Sequence, residues 1–596
     1  METTTESAAA FDPDALREKY RTERAKRVRP EGNDQYLEAK GRLSHFVDDP
    51  YFTPPEREPI TRHTDVAVIG AGFGGLIAGA RLTGRGIDDF LIVEKGGDFG
   101  GTWYWNRYPG ARCDVESYIY LPLLEEVGYM PTEKYAEGAE ILAYSGMMAD
   151  HFDLRPRALF GAEVTSVRWD EQARRWIAST NRGDNIAARF VIMASGPLHR
   201  PKLPGVKGVG TFEGHSFHTS RWDYGYTGGS PTGGLVGLAG TRIGVIGTGA
   251  TAIQCVPHLA EWCEHLYVFQ RTPASVDVRG NRPTDPEWAR SLEPGWHKAR
   301  NENFNTLLTG GFAEEDLVDD AWTDIITKLI HRAMAGQVTI DGILTAMETA
   351  DFEKMEQIRA RVDALVDDPA AAAALKPWYR QFCKRPCFHD EYLQTFNRPN
   401  VTLVDTDGQG VDEITPRGVV ANGELYELDC LVFATGFEVG TDYTRRSGCE
   451  FYGVDGQTLT DKWVDGIRTL HGMFTRGFPN CFVVSHSQGG YTVNYPHMLD
   501  EVTSHLAYVI DRVLSRGATR VEPSQQAEDD WVAEIISASR RVQSFHENCT
   551  PSYYNNEGHP GRVAVQNGHH GGGSPKFFEM LARWRDEDEL AGLEIS

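Results

Sequence analysis

The chain has 596 residues, 40% hydrophobic and 24% charged, with 85 acidic against 60 basic side chains and a net charge of −25. That composition excludes a disordered chain and allows a large core, and at roughly 150 residues per domain it suggests about four folding units, or fewer large ones. The acid excess argues against nucleic acid or an anionic membrane as main partner. No run approaches the ~18 uninterrupted apolar residues of a membrane span, and the polar first 20 residues carry no apolar signal core, which points to the cytoplasm.

Residues 1–63 contain no strand–turn–helix unit. Two charged helical patches, Asp12 to Arg27 and Asn33 to Phe46, precede the Pro-rich stretch Pro54 to Pro59 and read as an extension packed on, or wrapped around, the main body. Strong signals begin at Thr64. The apolar run Asp65 to Ile69 reads as a buried strand, Gly70-Ala71-Gly72-Phe73-Gly74-Gly75 as a turn, Leu76 to Leu82 as helix, and Asp89 to Glu94 as a second strand ending in a carboxylate. The same grammar returns about 180 residues later: strand Arg242 to Ile246, turn Gly247-Thr248-Gly249-Ala250-Thr251-Ala252, helix Ile253 to Trp262, strand Leu266 to Gln270.

In such a unit the first Gly permits the tight bend, the second lets backbone approach a pyrophosphate, and the third lets helix and strand pack. The helix N-terminus then offers free N–H groups to the phosphate. Gly70, Gly72 and Gly75, with Glu94 positioned to accept from ribose hydroxyls, predict a dinucleotide with a free ribose, FAD or NAD. In the second unit, Gly247 and Gly249 keep their places and Ala252 takes the third, where only close packing is required. Its strand ends in Arg271-Thr272. An arginine fork grips a 2′-phosphate that a carboxylate would repel, so this unit predicts NADP; otherwise Arg271 is a solvated strand-end charge. Two such sites suggest hydride transfer from NADPH to a flavin.

Ala194-Ser195-Gly196 and Ala434-Thr435-Gly436 each follow a strand and read as crossings between domains. The predicted fold is therefore α/β, with two dinucleotide-binding (Rossmann-like) domains, a helical insertion and the N-terminal extension. The expected division is 1–63 extension, 64–196 first part of the FAD domain, 197–436 NADP domain, and 437–596 second part of the FAD domain. The insertion covers about 284–375. There Phe352, Met355, Ile358, Val362 and Leu365 mark an amphipathic helix; later, Leu499, Val502, Leu506, Val509 and Val513 mark another. The last 50 residues, rich in Gly, Asn and His, show no clear periodicity, and His569-His570 reads as a surface loop. The nine cysteines are scattered and odd in number, as reduced thiols would be. Cys383 and Cys387 lack the spacing and the matching pair of a zinc site, so no metal is expected.

Between the glycine turns lies Phe212-x-Gly214-x-x-x-His218-x-x-x-Trp222-Asp223, and earlier Gly101-Thr102-Trp103-Tyr104-Trp105-Asn106-Arg107-Tyr108-Pro109-Gly110-Ala111-Arg112-Cys113-Asp114. Both resemble signatures of the type I Baeyer–Villiger monooxygenases, and Lys384-Arg385 resembles that family's catalytic arginine segment. The extension and Leu121 to Glu126 resemble the cyclopentadecanone monooxygenase-like subgroup, whose members oxidise bulky ketones. N- or S-oxygenating flavin monooxygenases share the Phe-x-Gly-x-x-x-His part but usually differ after it. A disulfide reductase would need a cysteine pair soon after the first glycine unit, where Cys113 stands alone; a redox-sensing flavoprotein would lack the arginine.

The resemblance implies a ketone and O2 as substrates, FAD and NADP as cofactors, and a flavin C4a-peroxide whose negative charge needs a fixed cation. Arg385 is the expected cation, held by Asp114, and both are the expected catalytic residues; a structural salt bridge is the alternative for the pair. The resemblance also places Thr102, Trp103, Tyr104, Trp105, Arg112, Tyr120 and Met498 with the first cofactor. Lys384 would join Thr248, Arg271 and Thr272 around NADP. His218, with Phe212, Gly214, Trp222 and Asp223, would couple domain movement through backbone hydrogen bonds rather than transfer protons.

Overall fold

The computed structural model describes residues 11–324, 326, 342–540 and 543–596. Its frame is two sheets, one mixed and one parallel, each built on a central parallel strand. In the first, β1 (Thr61–Ile69) leads through the glycine turn into α1 (Phe73–Thr83) and on to β2 (Phe90–Val93). β1 lies between β2 and β3 (Asn185–Met193), parallel to both, with Val68 opposite Ile92 and Ile192. Continuous apolar runs suit strands covered on both faces, and Val66, Val68, Phe90 and Ile192 are buried in one core.

In the second sheet β4 (His215–His218), β5 (Arg242–Ile246), β6 (His265–Gln270), β7 (Val401–Asp405) and β8 (Cys430–Phe433) run parallel in the order β7-β6-β5-β8-β4. α2 (Ala250–Trp262) connects β5 to β6. Ile246 pairs with Phe269 on one side and Phe433 on the other, so β5 is central as β1 is. The chain rejoins the first sheet at its edge through Glu450–Tyr452 and again through β9 (Cys481–Val483), which pairs with β3. The long helix α3 (Tyr495–Ser515) then packs on α1 through Leu499, Val502, Leu506 and Val509.

The insertion holds the helices Pro286–Ser291, Trp296–Leu308, Ile343–Leu365 and Pro369–Leu375, with turns over 309–323. Phe352, Met355, Ile358 and Val362 are buried, while Leu365 is half-buried at the helix end. Three expectations change. The patch Asn33 to Phe46 is not one helix. Short 3-10 turns flank a strand, Tyr36–Glu38, which pairs antiparallel with Lys202–Pro204; a sheet partner from the second domain overrides the local pattern. The C-terminal region holds a helix, Gly573–Glu587, that buries Phe577, Leu581 and Trp584 behind its Gly-rich approach. The thiols are not all reduced: Cys383 and Cys549 form a disulfide, because folding brings positions 166 apart to a Cα–Cα distance of 5.0 Å. Seven further cysteines are free and buried. Among the described residues no helix is long and apolar enough to cross a membrane, and no cluster of three or more metal-ligating side chains occurs.

Candidate active site

Both glycine turns open on one cavity of about 1850 Å³. In each, the first glycine needs a positive φ, +109° at Gly70 and +113° at Gly247. In each it also lies against the segment that follows a neighbouring parallel strand: a Cβ on Gly70 would meet Ala194 O at 2.6 Å, and one on Gly247 would meet Ala434 O at 2.4 Å. The second glycines differ. A Cβ on Gly72 would approach Gly101 Cα at 3.2 Å, whereas one on Gly249 would have nothing within 4 Å. The missing side chain at Gly249 leaves open space at the turn, as close backbone approach to a pyrophosphate requires. Gly75 is packed so closely that a Cβ would lie 1.9 Å from Gly70 O, while Ala252 fits buried at the matching position.

Glu94, at the end of β2, is buried and accepts N–H bonds from Ala71 (Oε2, 2.7 Å) and Gly96 (Oε1, 2.7 Å). Burial pushes its carboxyl up, and the two backbone donors oppose that. Each oxygen retains a lone pair for a ribose hydroxyl. Beside it Lys95 Nζ and His199 Nδ1 are 2.8 Å apart, and burial brings the lysine down to about 7. Both line the cavity. Sequence reasoning missed them, since neither carries a motif.

Thr102, Trp103 and Trp105, from the short helix Thr102–Trp105, line the cavity with Arg112, Asp114 and Tyr120. Trp103 Nε1 donates to Tyr120 OH at 3.1 Å. Two expected cofactor neighbours are corrected. Tyr104 is not on the cavity wall: its ring packs under Gly96 and its hydroxyl donates to Asp49 of the extension at 2.7 Å. Successive side chains of one helical turn cannot face one side. Met498 is fully buried in the core between α3 and α1, and Tyr495, Pro496 and Leu499 face the cavity instead. Arg112 lines the cavity, yet its guanidinium is held by Glu133, by Glu137 at 2.8 Å and by Tyr135 O at 2.7 Å. His569 and His570 lie in a loop, as expected, and that loop borders the cavity: His569 is exposed and stacks on Tyr491.

Also lining the cavity, Arg385 makes a two-toothed ion pair with Asp114, Nε to Oδ2 and Nη2 to Oδ1, both 2.6 Å. Burial alone would lower the guanidinium pKa, but the Asp114 carboxylate outweighs it and holds the group well above its ordinary value. Trp322 of the insertion lies under the guanidinium (5.1 Å) and donates its Nε1–H to Asp114 O at 2.7 Å. The insertion therefore reaches the site, through a residue outside any recognised pattern.

At the second turn, Thr248 Oγ1 donates to Thr272 O at 2.8 Å. Arg271 Nη1 donates to Gln35 Oε1 at 2.7 Å and Nη2 to Tyr36 OH at 3.1 Å, both from the extension. Lys384 donates to Pro551 O at 3.4 Å; burial, then Arg271, lowers its pKa to about 8.

The motif between the turns is structural in its contacts. Phe212 and Asp429 O leave no room for a Cβ on Gly214. Trp222 is buried and donates to Thr227 Oγ1 at 3.1 Å, and Asp223 caps Tyr224–Thr227. His218 Nδ1 accepts from Ser220 N at 3.2 Å, and Nε2 lies 3.1 Å from Gly436 O, past the end of β8. Burial, then Arg221, brings its pKa down to about 3.

Residues 67–229 match the family described as pyridine nucleotide-disulphide oxidoreductase. Cys113 is the one cysteine in that span, so the match carries the nucleotide-binding fold without a dithiol pair. The neopentalenolactone D synthase of Streptomyces avermitilis is 54% identical over 98% of this chain and 99% of its own length. The Baeyer-Villiger monooxygenase ATR8 of Stachybotrys chlorohalonatus is 50% identical over 98% and 95%. Among solved structures, the polycyclic ketone monooxygenase of Thermothelomyces thermophila is 40% identical, covers 98% of this chain and 99% of its own, and superposes with a TM-score of 0.91. An oxidized steroid monooxygenase bound to NADP is 32% identical over 89% and 99%, with a TM-score of 0.73. The chain belongs to the Baeyer–Villiger monooxygenase family: it is an FAD- and NADPH-dependent flavoprotein that inserts one oxygen atom of O2 beside a ketone carbonyl, giving an ester or lactone.

Proposed function

We propose that Arg385 is the catalytic cation of this reaction and Asp114 the residue that aims it, and that the ketone is bulky and apolar. The two-toothed pair on the wall of a cavity shared by both glycine turns carries this reading. The bound FAD supplies the redox chemistry, two electrons from NADPH and activation of O2. What the chain must add is a charge that persists at any working pH beside the oxygen being delivered. An arginine does this, and a buried one needs a partner to be tolerated. Asp114 takes Nε and Nη2, so Nη1 is the nitrogen left to polarise a carbonyl oxygen or hold a negative one.

The bulky-substrate reading is supported by apolar side chains that line the cavity and keep substantial exposure, Phe382, Val464 and Val563 among them, and by the names of the relatives. The first turn, with Glu94, Thr102, Trp103, Trp105 and Tyr120, would hold FAD. The second, with Arg271, Thr272 and Lys384, would hold NADP, its 2′-phosphate on the cations. His218 would hold the crossing at Gly436, so that the domains, divided at about 196 and 436, move as units.

The test is Arg385→Ala. The variant should keep its FAD and oxidise NADPH, while ester or lactone formation from a polycyclic ketone falls by about 10²-fold or more, the loss typical of one electrostatic catalytic group. Arg385→Lys should recover little, because a point charge cannot share Asp114 as a fork does. Unchanged product yield would remove Arg385 from the chemistry.

A further inference from the structure

The cations proposed to hold the 2′-phosphate do not stand alone. Glu557, buried, puts Oε1 3.3 Å from Lys202 Nζ and Oε2 3.6 Å from Arg271 Nη2, and Tyr36 OH donates to Oε2 at 3.3 Å. Lys384 lies close enough to act on the same carboxylate electrostatically. Arg29, from the extension, faces Arg271 across Gly410: a Cβ there would be 3.5 Å from Arg29 Nη2 and 3.8 Å from Arg271 Cδ. All five charged groups line the cavity. Glu557 therefore faces three cations, Lys202, Arg271 and Lys384, with Arg29 next to Arg271, a net charge suited to a further anion.

The backbone that presents Glu557 is unusual. Asn556 and Glu557 adopt successive left-handed conformations, φ +50° and +53°. Such positions disfavour side chains other than Gly, Asn or Asp and persist only where surroundings enforce them. Here Ser552 O accepts from Glu557 N at 2.9 Å, and Asn555 Oδ1 accepts from Gly558 N at 3.0 Å.

We propose that Glu557 is the resident counter-ion of the 2′-phosphate subsite, exchanged for the phosphate when NADPH binds. Buried cations without a partner are costly, so Glu557 stabilises the nucleotide-free enzyme. The same carboxylate would repel a phosphate dianion arriving at Lys202 and Arg271, so it must give way. A nucleotide lacking the 2′-phosphate leaves it in place. The inference rests on the assignment of Arg271 to that phosphate.

The experiment uses the flavin-loaded enzyme and two probes, 2′,5′-ADP and 5′-AMP, with affinities from calorimetry. Glu557→Gln should bind 2′,5′-ADP about tenfold more tightly, the order expected on removing one like charge from ~4 Å. Its 5′-AMP affinity should be unchanged, and its melting temperature without nucleotide should fall. A Glu557 that merely orients the cations would lower both stability and 2′,5′-ADP affinity. That result, or an unchanged affinity, overturns the proposal. Hydrogen exchange on the unmodified enzyme needs no variant: amides 555–558 should exchange faster with 2′,5′-ADP than with 5′-AMP, and equal exchange also overturns it. Arg271→Ala separates the underlying reading. If that variant still prefers 2′,5′-ADP over 5′-AMP as the parent does, the phosphate assignment itself fails.

Discussion

The two glycine turns share a plan and differ in how they are completed. Each follows a central strand, β1 or β5, and each has its first glycine against the segment that follows a neighbouring parallel strand, at Ala194 or Ala434. The first is finished by its own neighbourhood in sequence: Gly101 closes on Gly72, and Glu94 is held by Ala71 and Gly96. The second is finished from far away: Gln35 and Tyr36 hold Arg271, and Glu557 answers its charge. A unit completed locally suits a cofactor that stays bound. One walled by distant segments, and open at Gly249, suits a nucleotide that enters and leaves each turnover.

The contrast can be broken most sharply at the third position. Gly75→Ala forces a Cβ to 1.9 Å from Gly70 O, beyond the ~1–3 kcal/mol of ordinary overpacking. It should give protein largely devoid of flavin absorbance, whereas Ala252→Gly should keep its FAD and lose at most modest stability. Full flavin occupancy in Gly75→Ala would show that the first turn is not so tightly built.

Next in size is the strand-end residue. Arg271→Ala should raise the KM for NADPH about ten- to hundredfold, the worth of one or two charge-assisted hydrogen bonds, and leave NADH unchanged. An equal rise for both would make Arg271 a structural residue of the second unit.

The smallest expected effect is in pH. Lys384 is cationic below about 8 and loses its proton above, because burial and Arg271 lower its pKa. The KM for NADPH should therefore rise a few-fold from pH 7 to 9 while that for NADH stays flat. Lys384→Arg, always protonated, should abolish the rise. A bound 2′-phosphate raises the lysine's pKa, so the rise should be shallower in a titration of the complex.

How much could be read without coordinates follows from distance along the chain. β1, β5 and both turns are visible because apolar runs, positive-φ glycines and a strand-end charge sit within 30 residues, Asp65 to Glu94 and Arg242 to Arg271. Tyr104 and Met498 lie off the cavity wall, because a helical residue's facing depends on what packs around it. Lys95, His199, Trp322 and Glu557 carry no spacing signal, and the 3-10 and strand structure at 32–46 arises only once Lys202–Pro204 offers an edge.

By itself the sequence determined the two nucleotide units and the opposite charge at their strand ends, since backbone freedom and local charge belong to a few adjacent residues. The pairing of Arg385 with Asp114, 271 positions apart, is expected only through the family resemblance; the tertiary structure alone decided its two-toothed geometry, that Cys383 meets Cys549, and that the N-terminal extension walls the second site. These are long-range contacts, and their geometry exists only when the whole core has packed.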